Sequence, residues 1–328
     1  RTLGSNRAHL QRPPAPAGQA DKDSSRLSLK PPTDAALRVM APARLHLGFL
    51  DLNGSLGRRF GSIGLAVDNP QTCLVVRRAP ANSALGPESD RVLRLLGRYT
   101  GKQRHGYAVT VDEAIPAHAG LGSGTQLALS VGAAVAQLDG QMLTPYGLAQ
   151  LGERGARSGI GLAAFTDGGF IVDGGRGEED HAPPVTLRCD FPEDWRVLLI
   201  LDRARAGVSG EAETQAFKAL PVFAESSAAH ICRLVLMKLV PALKEHDISA
   251  FGGALTEIQQ IVGAHFALAQ GGSAWTSPAV GRIAARMAEL GATGIGQSSW
   301  GPTGFAFVNG QEAAERLYHS LVEGAKAD

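Results

Sequence analysis

The stretch that most restricts the possible folds is Ile115 to Leu129, IPAHAGLGSGTQLAL. An alternating apolar strand pattern, Tyr107 to Ile115, runs into Pro116. Glycines and hydroxyls follow, and then a small-and-apolar helix pattern from about Thr125 to Gln137. Gly120, Gly122 and Gly124 let the backbone turn tightly and approach a ligand closely, because they carry no Cβ. Ser123 and Thr125 add hydroxyl donors. The helix behind them points unpaired N–H groups and its positive dipole end back at the turn. That combination is an anion cradle, and the usual biological anion is phosphate. An ordinary glycine-rich strand-to-helix turn has the same outline; three glycines with two hydroxyls directly before a helix start favour phosphate.

The 328 residues are enough for two domains with sizeable cores. With 19% charged residues and a net charge of +1, no basic excess directs the chain to nucleic acid. Cys73, Cys189 and Cys232 are odd in number and widely spaced, so neither a metal motif nor a disulfide framework emerges, and a cytoplasmic location is expected. No apolar run long enough to span a membrane stands out, nor does a signal-peptide pattern, so no membrane partner is expected. Residues 1–35 hold Pro13, Pro14, Pro16, Pro31 and Pro32 but no aromatic residue, which predicts a disordered leader.

The folded body is expected from 36 onward. Strands are predicted at Leu37 to Phe49, Thr72 to Arg78, Tyr107 to Ile115, Phe170 to Val172, Trp195 to Leu201 and Gly304 to Val308. Helices are predicted at Ser89 to Thr100, from Thr144-Pro145 to near Gly155, and at Ala212 to Leu220, Ala224 to Leu243, Ile248 to Ala267, Ser277 to Leu290 and Gln311 to Glu323. Strands and helices mix without regular alternation, which argues for an α+β fold. The polar, proline-containing stretch Glu178 to Pro184 is the best boundary, dividing the body into 36–184 and 185–328.

Three stretches occur in an order that resembles the three motifs of the GHMP small-molecule kinase superfamily: APARLHLGFLD (Ala41 to Asp51), IPAHAGLGSGTQ (Ile115 to Gln126) and GATGIGQSSWGPTGFAF (Gly291 to Phe307). The resemblance spans about Leu37 to Glu323. It implies a two-domain GHMP-kinase-like fold, with an N-terminal β-α-β domain carrying a glycine-rich phosphate loop and a C-terminal ferredoxin-like α+β domain. The wording GLGSGTQLALSVGAA, RRFGSIGLAVDNP, RGARSGIGLAAFTDGGFIVDGG and GQSSWGPTGF is similar to one branch, the beta-ribofuranosylaminobenzene 5'-phosphate synthases. The branch implies a glycosyltransferase of tetrahydromethanopterin biosynthesis. Such an enzyme joins phosphoribosyl pyrophosphate to 4-aminobenzoate, or to a 4-hydroxybenzoate-like acid, and releases pyrophosphate and CO2. Mg2+ as cofactor and a homodimer are further implications of the resemblance.

Departures from the kinase pattern point the same way. GHMP kinases commonly carry an Asp after a Ser-Gly-Ile triplet, whereas Ser158-Gly159-Ile160 is followed here by Gly161. The second serine of the kinase loop, often a magnesium ligand, is Gly124. The lysine of the first kinase motif becomes Arg44, a fork that grips phosphate or carboxylate but does not act as a base. Phosphoryl transfer relies on metal and positioning groups, so their loss speaks against a kinase. An ATP-dependent GHMP-type kinase and a non-catalytic GHMP-like ligand sensor are the alternatives.

Under this reading Arg44, His46, His118 and Asp167 are the candidate catalytic residues. Arg44 and His46 share the less apolar face of a strand, His118 sits inside the loop, and Asp167 precedes Gly168-Gly169. Gly120, Gly122, Ser123, Gly124, Thr125 and Gln126 are expected to hold the phosphates, with Arg59 meeting phosphate or carboxylate and Arg157 and Ser158 reaching the sugar phosphate. Gln297, Ser298 and Trp300 are unusual in a glycine loop, and Trp300 is expected to stack on the aromatic acid or else to plug the core. Asp51 is either a magnesium ligand or a turn cap. His230 and His265 read as core or surface residues.

Overall fold

The structure is a computed structural model describing residues 8–11, 35–101, 105–141, 144–152, 158–177, 182–205, 207, 215–217 and 219–327. Two long strands organise its first half. β2 (Ala36–Asp51) and β3 (Phe60–Ala79) pair antiparallel almost throughout, with register breaks at Pro42/Ala43 and His46/Gly48. Only the last third of β3 was expected as strand. Its earlier part, from Gly61 to Val67, is buried on both faces, so the apolar-polar alternation that marks a half-exposed strand is missing.

β1 (His9–Gln11) pairs with Arg38–Met40 at the sheet edge, so part of the leader expected to be disordered is a strand. The rest of that expectation lies outside the described residues. β4 (Ser83–Leu85) and β5 (Gly106–Glu113) extend the sheet in the order β1-β2-β3-β5-β4. β6 (Phe170–Asp173) pairs with Ile63–Leu65 of β3, and β7 (Val185–Cys189) pairs with β6. β7 therefore belongs to the first sheet. The proline-containing stretch before it joins two strands of one sheet, and the second unit begins only at β8 (Trp195–Leu201).

α1 (Ser89–Thr100) and α2 (Ser123–Leu138) cover one face of this sheet. α2 is buried nearly all round, and its small residues permit close neighbours: Gly132 faces Tyr99, whose hydroxyl donates to the Ala128 carbonyl at 2.9 Å. α3 (Pro145–Leu151) starts as expected, the Thr144 hydroxyl accepting from the Gly147 amide at 3.1 Å. α4 (Ile160–Thr166) was not anticipated, because a seven-residue element with glycine at its cap and second position carries too little periodicity to read.

The second unit has β8, β9 (Thr293–Gln297) and β10 (Thr303–Asn309) in the antiparallel order β8-β10-β9. With them go α5 (Glu225–Lys244, a π-helical turn at Val235–Leu239), α6 (Ile248–Phe266), α7 (Pro278–Glu289) and α8 (Gln311–Ala327). This is the α+β arrangement expected. α5 is, by length and a mean hydropathy of 1.3, apolar enough to cross a membrane, contrary to the expectation that no such run exists. Here Ala228, Ile231, Leu234, Val235 and Leu239 turn inward to a core shared by both sheets, which also holds Leu45, Phe170, Phe251 and Phe307.

Candidate active site

The glycine turn is built as its composition requires. Gly120 and Gly122 both lie at positive φ, +79° and +80°, a region where a side chain is strained. A Cβ on Gly120 would collide with the Ser298 carbonyl, and one on Gly122 would come within 3.0 Å of Arg44 Cγ. Gly122 then caps α2 without any side-chain hydrogen bond. Thr125 and Gln126 donate back to the Gly122 carbonyl at 3.0 and 3.1 Å. The amides of Ser123 and Gly124 take no backbone acceptor among the described residues. Helix α2 thus begins two residues earlier than expected and presents open donors at its positive end.

Arg44 lies against this turn. Its amide donates to the Leu121 carbonyl at 3.1 Å and its guanidinium to the Gly120 carbonyl at 2.6 Å. The third glycine-rich segment closes from the other side. Ser298, fully buried, donates its hydroxyl to the Gly120 carbonyl at 2.8 Å and accepts the His46 amide at 3.0 Å. Arg44, His46, Gly120, Gly122 and Ser298 are therefore brought together. His118 is exposed within the turn at φ +57°, and its carbonyl takes the Gly207 amide at 2.7 Å.

His46 is buried against Phe49, ring centroids 4.4 Å apart. Burial, helped by the Arg44 charge, lowers its pKa to about 3, so the imidazole is neutral and is no proton donor near neutral pH.

Several expected contacts take other work. Gln126 is buried with its amide turned to α4, donating to the Gly161 carbonyl at 2.8 Å, so it ties helices and does not face the turn. Gln297 is tied to Thr276, Gln270 and Ser299. Trp300 is buried, stacked on Phe266 at 4.4 Å and edged by Phe217 at 5.2 Å; its ring plugs the core beneath the loop, leaving no open face for an aromatic acid. Asp51 sits at the hairpin tip, accepting the Asn53 and Gly54 amides at 2.7 and 3.0 Å, a turn cap. Asp167 caps the end of α4, about 9 Å along the helix from Gly161. It is exposed, with the Thr166 hydroxyl donating to it at 2.6 Å, and so does not share the turn. Arg157 lies outside the described residues.

Gly161 is the departure with a visible geometry. A Cβ there would stand 3.0 Å from Thr125 Cγ2, so the position where the resembling kinases carry an acid faces the first turn of α2. Among the described residues no group of three or more His, Cys, Asp or Glu comes together to hold a metal.

One residue escaped the sequence reading. Asp173, fully buried at the end of β6, accepts the Ser62 and Gly175 amides at 2.9 and 3.0 Å through Oδ1. Through Oδ2 it accepts the Ser158 hydroxyl and the Gly159 amide at 3.1 and 2.9 Å. Burial raises its pKa against the pull of these four donors. Ser158 in turn caps the Ile160 amide at 3.2 Å, so Asp173 fixes the start of α4 and, through Gly161 and Gln126, the base of the turn. The signal was an acid ending an all-apolar strand before two glycines.

The fold and this turn define a GHMP-type protein. The family described as GHMP kinases N terminal domain matches residues 89–169, and GHMP kinases C terminal matches 239–327. Homoserine kinase from Cytophaga hutchinsonii has the same fold, with a TM-score of 0.61 at 20% identity, covering 92% of this chain and 94% of that one. More specifically, the chain belongs to the beta-ribofuranosylphenol 5'-phosphate synthase family. It is 34% identical over 306 residues to the synthase of that name from Methanothermobacter thermautotrophicus, covering 83% of this chain and 89% of the relative. The Archaeoglobus fulgidus synthase is 37% identical over 243 residues, 69% of this chain and 76% of the relative.

Proposed function

We propose that this chain condenses phosphoribosyl pyrophosphate with 4-hydroxybenzoate or 4-aminobenzoate, releasing pyrophosphate and CO2, in tetrahydromethanopterin biosynthesis. The observation that carries the reading is the uncapped start of α2 beside Arg44, facing a position, Gly161, that has no acid. The diphosphate sits on the Ser123 and Gly124 amides with the Ser123 and Thr125 hydroxyls around it. As the anomeric C–O bond breaks, its electron pair goes to the diphosphate, and the helix end and Arg44 stabilise that charge. The ring carbon bearing the carboxylate bonds to the anomeric carbon. The carboxylate C–C bond then returns its pair to the ring and CO2 departs. No proton has to be abstracted in these steps, which suits a site whose buried histidine, with its pKa lowered to about 3, is too weak a base to take one.

Mg2+ enters in this reading as the counter-ion of the diphosphate, since the described residues build no metal cage of their own. A cytoplasmic homodimer completes the proposal. The test is release of labelled CO2 from carboxyl-labelled 4-hydroxybenzoate and 4-aminobenzoate in the presence of the donor and Mg2+. Absence of CO2 together with ATP turnover on a small alcohol would give the kinase; ligand binding without any turnover would give the sensor.

A further inference from the structure

Beside the anion turn, backbones from distant parts of the chain meet at glycines. Gly120 belongs to the turn itself, Gly301 to the loop between β9 and β10, and Gly207 to the chain leaving β8. A Cβ on Gly301 would stand 2.4 Å from the Ala119 carbonyl oxygen and 2.5 Å from Gly120 Cα. One on Gly207 would stand 2.7 Å from Gly301 Cα, 2.9 Å from the His118 carbonyl oxygen and 3.0 Å from that of Trp300. Only residues without a side chain pass one another so closely. The chain leaves β8 from a fixed start. Asp202 accepts the Ala204 amide at 2.9 Å and the Ser277 hydroxyl at 2.6 Å, and Arg205 donates to the Thr276 carbonyl at 3.2 Å. The Gly207 amide then donates to the His118 carbonyl at 2.7 Å. His118 stands at φ +57°, a conformation that is costly for a residue with a Cβ and persists where its surroundings hold it.

We infer that Gly207 is a positioning residue: its amide holds the His118 peptide in the left-handed conformation, so that the imidazole donates a hydrogen bond to the diphosphate seated on the start of α2. The inference rests on the function proposed above for its choice of ligand. Charge gathers on the diphosphate as the anomeric bond breaks, and a donor fixed in place beforehand stabilises that charge without reorganising. Free pyrophosphate is the leaving group with this charge fully developed, so its affinity reads the same contact. Without the Gly207 amide, His118 relaxes toward the negative φ that side chains prefer, and its imidazole moves away from the turn. The Ser298 hydroxyl ties the turn to the β9–β10 loop, so an alanine at position 207 displaces the chain after β8 rather than the turn.

The test is calorimetric titration of the full chain with inorganic pyrophosphate and Mg2+, comparing wild type with Gly207→Ala, His118→Asn and the double variant. Asparagine tolerates the left-handed conformation but brings no imidazole. Each single variant is expected to bind pyrophosphate about tenfold more weakly at an unchanged urea midpoint, and the double variant no more weakly than His118→Asn alone. Losses that multiply in the double variant overturn the assignment, as does wild-type affinity in Gly207→Ala. If Gly207→Ala lowers the urea midpoint, Asp202→Ala decides: it releases the Ala204 amide and the Ser277 hydroxyl and is expected to weaken pyrophosphate binding about threefold at an unchanged midpoint. Wild-type affinity there overturns the assignment too. A wild type that binds pyrophosphate with the expected variant losses, yet releases no CO2 from the aromatic acids, leaves Gly207 assigned and removes the proposed reaction instead. A wild type that binds no pyrophosphate removes both.

Discussion

The hydroxyl of Ser298 donates to the carbonyl of Gly120 across 2.8 Å, joining two segments 178 residues apart. The same oxygen accepts the His46 amide. One buried side chain therefore locks the glycine turn to the central strand and to the loop between β9 and β10. Ser298→Ala leaves the His46 amide unpaired and the Gly120 carbonyl with Arg44 alone. Urea unfolding is expected to show a loss of about 2 kcal/mol, and KM for the phosphorylated donor is expected to rise with it. An unchanged donor KM would show that the lock does not shape the anion site.

The hydroxyls of the turn itself are tested by Ser123→Ala with Thr125→Ala. Neither caps α2, so folding is expected to be spared while KM for the donor rises by on the order of tenfold. Full retention of that constant would place the diphosphate elsewhere.

Gly161→Asp restores the side-chain type found in the resembling kinases. Its carboxylate would face Thr125 and repel a diphosphate held there, raising donor KM by on the order of tenfold, about 1.4 kcal/mol. Gly161→Ala, which adds only bulk at 3.0 Å from Thr125, is expected to have a smaller effect. Equal effects of the two variants would mean that charge at this position is irrelevant.

His46 makes stability depend on pH in a defined direction. Its pKa is about 3 in the fold against 6.5 unfolded, so the unfolded chain binds the extra proton between those values. The stabilisation is full above 6.5 and is lost as pH falls toward 3. In that window wild type is expected to lose about 1 kcal/mol per pH unit more than His46→Gln. Asp173, whose pKa is raised, acts with the opposite sign, and comparison of the two chains at each pH removes its contribution. Parallel stability curves would refute the neutral buried imidazole.

Asp173→Asn replaces two acceptor oxygens by one oxygen and a donor facing the Ser158 hydroxyl or backbone amides. A loss of about 3 kcal/mol on unfolding is expected, together with weaker donor binding, because α4 positions Gln126. A loss below about 0.5 kcal/mol would show that the hub is dispensable.

What could be read without the fold was everything that depends on a few neighbouring residues. The tight turn at Gly120 and Gly122, the open start of α2 and the Thr144 cap are set by local sterics, and each stands in the structure. β2, by contrast, alternates only up to Ala41 and is buried on both faces from Leu45 to Phe49. The motif wording likewise sufficed for the family. What needed the tertiary structure were the partners of long-range polar groups. Nothing near Gln126 in the chain announces Gly161, and nothing near Arg58 announces the Gly174 and Gly175 carbonyls that fold back to hold it. Such choices follow from which groups burial brings within hydrogen-bond distance, and that distance is fixed by packing across the whole core rather than by order along the chain.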